Sequence, residues 1–329
     1  MLKAERKHME TSNCILCGKP GAAWFAKADK FPPHELFHVV RCPECGLAWV
    51  SPRPAQDGIG RYYPPTYSWK PDAAGEQSLL HRVEQWYRFH VLRFETRQLL
   101  AYTDIARGDA VLDVGCSSGD RLLVMKEAGL APAGVEISPA ADFARERLKL
   151  DVRRGTLEES HFETGRFRAV TLHNVQEHVH DPRRLLEEAH RILAPGGWLV
   201  VQSPNKASHQ ARLFGKRWAA VDIPRELYYY TPAILGRMFE AGGFEVVHVV
   251  HQTSFLHPPT AAISLVPWAD PQRFWKAEAE GGAAVGLARR LAWAVATVAV
   301  MPAVWLESRL GAGAIPTTFA RKPVSSGRS

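Results

Sequence analysis

Four of the five cysteines in this 329-residue chain stand in two pairs, Cys14-Ile-Leu-Cys17-Gly18 and Cys42-Pro-Glu-Cys45-Gly46, with 24 residues between them. A Cys-x-x-Cys followed by glycine turns back so that two thiolates can point at one tetrahedral ion, and the spacer suits a short hairpin. The pattern predicts a zinc ribbon with Cys14, Cys17, Cys42 and Cys45 as ligands. Disulfides or a redox pair are the competing reading, but nothing in the sequence suggests export. A closed four-thiolate site keeps no open coordination position, so this ion would fold the region and take no part in chemistry.

A second group of chemistry-bearing residues follows the run Ala110-Val-Leu-Asp113-Val, which breaks into Gly115-Cys116-Ser117-Ser118-Gly119 and then into a helical pattern. Strand, tight turn and helix in that order let a backbone approach an anionic ligand closely at a helix start. A second strand, Ala133-Gly134-Val135-Glu136-Ile137, ends in a carboxylate 21 positions after Gly115, where a ribose-gripping acid sits in a doubly wound sheet. The spacing points to a nucleotide-like cofactor. Nicotinamide is the weaker candidate, because position 117 is Ser and the Gly-x-Gly-x-x-Gly fingerprint is not matched. Cys116 reads as a small residue filling the turn, not a nucleophile.

With these motifs, the segments His173-Asn174-Val175-Gln176-Glu177-His178-Val179-His180-Asp181-Pro182 and Leu193-Ala194-Pro195-Gly196-Gly197 make four ordered blocks between Ala110 and Asn205. Together they resemble the class I S-adenosylmethionine-dependent methyltransferases. The cysteine ribbon, with Tyr62-Tyr63 and Tyr67 after it, is similar to a subgroup that includes sugar C-methyltransferases. The resemblance implies S-adenosylmethionine as cofactor, with Asp113 and the backbone of Gly115, Cys116, Ser117 and Gly119 on its methionine part and Glu136 on the ribose. Ile137 and Leu157 would then sandwich the adenine, and His173 and Asn174 would border the sulfonium. Glu177 and His178 match an acid–histidine pair of the family, and Glu226 stands where a histidine is common on the acceptor side. If the acceptor is a carbon or hydroxyl, His178, Glu226 and Tyr228 are the candidate bases. In the subgroup the ribbon is thought to cover the acceptor; here it could equally serve only to stabilise the fold.

The elements that must position these residues alternate strand and helix. Strands are expected at 110–114, 133–137, 151–154, 167–172 and 198–202, and helices at 120–128, 139–149 and 182–193. The fold class is α/β: a Rossmann-like, doubly wound, mostly parallel sheet with an N-terminal zinc ribbon and a late helical insertion. Apolar residues from Leu79 to Phe94 recur at helical spacing, so Glu76 to Ala101 should form one or two amphipathic helices, after a linker marked by Pro64, Pro65, Pro71 and Gly75. Helix 233–241 and strands 244–250 and 317–322 should close the domain. The expected organisation is a ribbon region at 1–60, an aromatic linker and helix at 61–104 and a methyltransferase domain at 105–329. That domain carries insertions at about 205–231, on the acceptor side, and 252–316. The run Tyr228-Tyr229-Tyr230 in the first insertion suits a planar or sugar acceptor or a packed strand.

Forty-six per cent hydrophobic residues can fill a sizeable core, and a net charge of +7 is spread along the chain. The diffuse charge leaves RNA methylation as the weaker alternative to a small-molecule, glycan or lipid-linked acceptor. A non-catalytic scaffold is a further alternative, opposed by the intact set Asp113, Gly115, Gly119 and Glu136. A charged start with no apolar stretch behind it predicts a cytoplasmic location. Within the apolar stretch Ala283 to Leu310, the 16-residue run Leu291–Leu306 is short for a membrane span and holds Pro302. It is expected to be a buried helix or one lying on a membrane surface, with Arg289, Arg290 and Arg309 at headgroups and Trp293 and Trp305 at the boundary.

Overall fold

The computed structural model describes residues 8–63, 79–251, 257–270 and 283–324; the expected linker at 64–75 lies outside them. Strands β1 (Met9–Glu10), β2 (Ala22–Ala28), β3 (Leu36–Arg41), β4 (Ala48–Val50) and β5 (Arg53–Pro54) come first, followed by helix α1 (Leu79–Tyr102). Next are β6 (Ala110–Val114), α2 (Asp120–Glu127), β7 (Ala131–Glu136), α3 (Ala140–Glu146), β8 (Val152–Arg154), β9 (Phe167–His173), α4 (Pro182–Ile192) and β10 (Leu193–Gln202). The chain ends with α5 (His209–Phe214), β11 (Tyr228–Tyr229), α6 (Pro232–Ala241), β12 (Glu245–Val250), α7 (His257–Leu265), α8 (Ala283–Arg309) and β13 (Thr317–Arg321).

The large sheet has the order β12-β13-β10-β9-β6-β7-β8. Its last five strands are parallel, and β13 is antiparallel to both neighbours. The central strands are buried on both faces, so they read as near-continuous apolar runs such as Ala169-Val170 and Leu199-Val200-Val201. After β8 the chain returns to the other side of β6, and the strand order reverses there. The crevice between the loops after β6 and β9 is the topological switch point. Helix α4 shows how the sequence places one layer. Asp181 caps it by accepting from the Arg184 N–H at 3.1 Å, Pro182 presets its first turn, and Leu185, Leu186, Ala189 and Ile192 bury one stripe on the sheet. Strand β10 begins five residues earlier than the periodicity suggests. Pro195-Gly196-Gly197 is absorbed as an irregularity between Leu193 and Trp198, where the pairing with β9 shifts register.

A second sheet, β11-β4-β3-β2, is antiparallel throughout. Its fourth strand comes from the segment expected as an insertion at about 205–231: Tyr228 pairs with Trp49 and Tyr229 with Ala48. Tyr228 and Tyr229 thus form a packed strand, Tyr230 follows it, and all three residues are buried. Phe37, Val39 and Val50 share one core cluster with Trp218, Ile223 and Tyr229, which binds the N-terminal region to the insertion.

The late apolar helix spans Ala283–Arg309, within the apolar stretch expected at 283–310. Flanking alanines, Gly286 and Leu287 extend it to 27 residues, so by length and composition it could cross a membrane. It is not a buried helix, since only 22% of its apolar stretch is covered by protein.

Candidate active site

The crevice floor is the turn from β6 to α2. Gly115 has φ of +75°, and a Cβ there would lie 2.5 Å from Val175 Cγ2, so the loop after β9 touches the turn backbone directly. Gly119 has φ of +87°, and its Cβ would meet Leu150 Cδ1 at 2.5 Å. The Gly115 and Cys116 N–H groups donate to Val135 O at 2.8 and 3.1 Å, which ties the turn to β7. Cys116 is buried against Gly134, and burial raises its thiol pKa well above the ordinary value, as suits a filler.

At the end of β7 the Glu136 carboxylate accepts from the Ser117 N–H at 3.0 Å and the Ser138 N–H at 2.7 Å. Two backbone amides hold it at the lip of the crevice. A carboxylate has about four acceptor positions, so two remain for hydroxyl donors.

Behind the turn lies a buried polar group that the sequence does not announce. Asp113 Oδ1 accepts from Thr171 Oγ1 at 2.6 Å, and Arg121 Nε lies 3.6 Å from its Oδ2. Arg121 Nη1 donates to Glu95 Oε2 at 2.6 Å, and Gln202 Nε2 donates to Glu95 Oε1 at 3.0 Å. Burial alone would push the Glu95 carboxyl up, but the Arg121 guanidinium holds it below the usual range. A small cleft there is lined by Glu95, Arg121, Thr171 and His173. His173 Nδ1 sits 3.7 Å from Asp113 Oδ1, beyond hydrogen-bond reach, and is a buried nitrogen without a hydrogen-bond partner among the described residues. Asn174 beside it has φ of +54°. Non-glycine residues held in that region cluster at ligand clamps and switch segments.

The proposed adenine pair is split in character. Ile137 is 71% exposed just past Glu136, whereas Leu157 is packed into the main core near Phe162. Ile137 offers open apolar surface beside Glu136, whereas Leu157 lies buried in the core.

Past Val175 the same loop enters a buried acidic cluster beneath the second sheet. Glu177 Oε2 accepts from Ser203 Oγ at 3.0 Å, while its Oε1 is buried without a hydrogen-bond partner among the described residues. Glu226 Oε2 accepts from the Asp222 N–H at 3.2 Å. Burial raises both carboxyls above the ordinary range, and for Glu226 the negative charges of Glu177 and Asp222 add to it. Two amines face this cluster. Burial lowers Lys27 and Lys206 to about 8, partly offset by nearby acids, including Glu226. Lys27 Nζ donates to Val221 O at 2.5 Å. Lys206 Nζ, a buried nitrogen without a hydrogen-bond partner among the described residues, lies 5.4 to 5.6 Å from the rings of Trp24, Phe25, Trp218 and Tyr229. An amine ringed by aromatic faces is stabilised by their quadrupoles.

The other two candidate bases are engaged. The His178 Nδ1 position lies 2.8 Å from Arg225 O, and the Tyr228 hydroxyl accepts from Arg53 Nη1 at 2.7 Å and donates to His180 O at 3.2 Å. Of the three, Glu226 is the one with a carboxyl in the coupled cluster. Arg225, fully buried, fastens the region: its Nη2 donates to Asp29 Oδ1 at 2.6 Å and Asp222 Oδ1 at 2.7 Å, and its Nη1 to Tyr62 O at 2.6 Å.

Sequence reasoning missed Lys27, Lys206, Arg225 and the Glu95–Arg121 pair. For Lys206 one signal was available, its place four residues after β10 at the ligand-bearing end of the sheet. For the others the partners lie far away in sequence.

The four ribbon cysteines converge, with every Sγ within 4.8 Å of the others; Cys14 to Cys45 is 3.3 Å and Cys17 to Cys42 is 3.4 Å. A tetrahedral ion with Zn–S of about 2.3 Å sets its sulfurs about 3.8 Å apart, inside that spread. Burial raises the Cys42 thiol, but N–H groups of Cys45 and Glu44 and the neighbouring thiols bring it down to about 7.

A family profile described as a methyltransferase domain matches residues 85–249, the span from α1 through the parallel strands to β12. A ubiquinone biosynthesis O-methyltransferase of Pseudomonas paraeruginosa is 29% identical over 160 residues, which cover 44% of this chain and 68% of that protein. One of Xanthomonas oryzae pv. oryzae is 30% identical over 168 residues, covering 48% and 66%. A solved structure titled as a putative sarcosine dimethylglycine methyltransferase from Galdieria sulphuraria aligns over 80% of this chain and 97% of its own, with 13% identity and a TM-score of 0.49.

Proposed function

The chain belongs to the methyltransferase-domain family and is an S-adenosylmethionine-dependent methyltransferase; from that premise we propose that it methylates a small-molecule acceptor, a sugar or a lipid-linked intermediate, held between the crevice and the second sheet. The observation that carries this is one continuous loop, 173–178, that borders the turn at Gly115 through Val175 and then delivers Glu177 to the buried acidic cluster.

The cofactor supplies an activated methyl group on a sulfonium, so the protein's work is to bind, align and keep water out. In this reading Asp113, with the backbone of Gly115, Cys116, Ser117 and Gly119, holds the methionine end, and Glu136 uses its remaining acceptor positions on the ribose. Ile137 covers the adenine. His173 and Asn174 border the reacting end, which is consistent with a His173 Nδ1 that has no hydrogen-bond partner among the described residues. Cys14, Cys17, Cys42 and Cys45 hold a structural zinc ion that keeps the second sheet seated over the acceptor.

For a hydroxyl or carbon acceptor, Glu226 is the proton acceptor, with Glu177 beside it. Burial and the negative charges of Glu177 and Asp222 raise the Glu226 carboxyl, so its ionised form is a stronger base than an ordinary carboxylate. Lys206 and Lys27 would balance an anionic group on the acceptor.

Calorimetric titration of S-adenosylhomocysteine tests the cofactor assignment. A dissociation constant in the micromolar range is expected for the wild type, with binding lost in Glu136→Ala. Methyl transfer from labelled cofactor to candidate acceptors, with kcat lowered in Glu226→Gln at unchanged cofactor affinity, tests the second half. Full turnover in Glu226→Gln would remove that residue from the reaction.

A further inference from the structure

Helix α8 is built inside out. Over Leu287–Leu310 its outward face presents Leu291, Val295, Val298, Met301, Trp305 and Leu306, with Val295 68% and Val298 64% exposed. Its polar residues point the other way: Thr297, Glu307 and Ser308 are buried against the protein. A helix on a water-facing surface has the reverse arrangement, apolar stripe inward and charges outward. The exposed stripe follows helical spacing over more than 20 residues, about 30 Å at 1.5 Å per residue. Leu265 and Trp268, 56% and 52% exposed, lie on α7 and the turn after it, elements that pack against α8, and they add to the apolar surface. A patch of this extent marks an interaction surface.

Charge tells which partner it suits. From Gly281 to Leu306 there is no acidic residue, while Arg289 and Arg290 stand near one end. At the other end Arg309 lies over the Trp305 ring, 5.1 Å from its centroid. The neighbouring α5 segment carries exposed Arg212, Lys216 and Arg217, again with no acid between Lys206 and Val221. It is joined to α8 through Glu307, which accepts from the Gln210 N–H at 2.9 Å and from Gln210 Nε2 at 2.8 Å. An apolar strip flanked by cations and tryptophan matches the acyl and headgroup layers of an anionic bilayer.

We propose that α8 lies in the plane of an anionic membrane surface with its apolar face in the acyl boundary, docking the enzyme there. Crossing the bilayer is opposed by the buried contacts of Thr297, Val304, Glu307 and Ser308 and by β13, which starts eight residues after the helix and pairs between β10 and β12. The helical pair is also bound to the acceptor-side insertion, where Ser264 Oγ accepts from the Ala219 N–H at 2.9 Å. Docking therefore brings that insertion to the lipid surface. The inference stands apart from the acceptor assignment, because it concerns where the protein sits, not what it methylates.

The test is co-sedimentation of the full chain with phosphatidylglycerol-containing vesicles and with pure phosphatidylcholine vesicles, at low and high salt. The expected result is pelleting with the anionic vesicles, weakened by salt, and a drop of at least about tenfold in partitioning for Leu291→Glu/Val295→Glu/Val298→Glu. These side chains are exposed, so the variant should keep its circular dichroism spectrum and wild-type S-adenosylhomocysteine affinity. Wild-type protein that stays in the supernatant with every vesicle overturns the proposal, as does a triple variant that pellets as well as wild type. A wild-type dimer that the triple variant disrupts, without vesicle binding, would assign the stripe to a second copy instead. Loss of cofactor binding with intact vesicle binding would count only against the cofactor site.

Discussion

The proposed cofactor crevice and the proposed acceptor wall solve the same problem, placing polar groups in a dry interior, in opposite ways. The crevice turn is local: Gly115 to Glu136 spans two adjacent parallel strands, and backbone amides do most of the holding. The wall is assembled from four distant pieces, with Asp29, Tyr62, Glu177 and Asp222–Tyr229 meeting around Arg225 and Glu226. A local site is set by short-range stereochemistry, whereas the wall exists only if long-range ion pairs and the ribbon hold it together. The two should therefore fail separately.

The largest expected effect is removal of the proposed zinc. Chelation, or Cys17→Ser, should unfold the second sheet and cost several kcal/mol, seen as an early transition in thermal melts, because ligand binding and folding are coupled in such ribbons. Cofactor affinity should be largely retained; its loss would break the separation of the two regions. Next is Arg225→Leu, which removes the guanidinium paired with buried Asp29 and leaves Asp222 with Lys30 alone of its two cations, and should destabilise the protein by about 3–5 kcal/mol in denaturant titration.

Gly115→Ala attacks the other region. A side chain at φ of +75°, 2.5 Å from Val175, should weaken S-adenosylhomocysteine binding by about 100-fold in calorimetry while the ribbon stays folded.

A smaller effect lies in pH dependence. The Glu177 and Glu226 carboxyls are raised in the folded state, so the stability from keeping them protonated is complete below the ordinary carboxyl pKa and is lost as pH rises through their raised values. Glu226→Gln should flatten that decline between acid and neutral pH, measured as unfolding free energy against pH. An unchanged slope would mean Glu226 ionises freely. The smallest expected change is Tyr228→Phe, which loses one hydrogen bond to Arg53 and one to His180 O, about 1–2 kcal/mol in stability, with methyl transfer kept.

Much of the architecture was legible because the signals were local. The runs at 110–114 and 167–173 are apolar on both faces, Asp181-Pro182 starts a helix, and the spacing between Gly115 and Glu136 reflects one strand–helix–strand passage. The extent of the late helix, Ala283–Arg309, was also legible at 283–310, but whether it is buried was not, because the side its apolar face takes depends on what packs against it.

Sequence alone determined the methyltransferase fold class, the turn that floors the crevice and the convergence of four cysteines, since each depends on residue type at fixed short spacing. Only the tertiary structure decided that Tyr228 and Tyr229 complete the ribbon's sheet, that Arg225 binds Asp29 across 196 positions of chain, and that α8 turns its apolar face outward. Burial, pairing and the direction a helix face points are properties of what packs against a residue, and a one-dimensional pattern does not contain them.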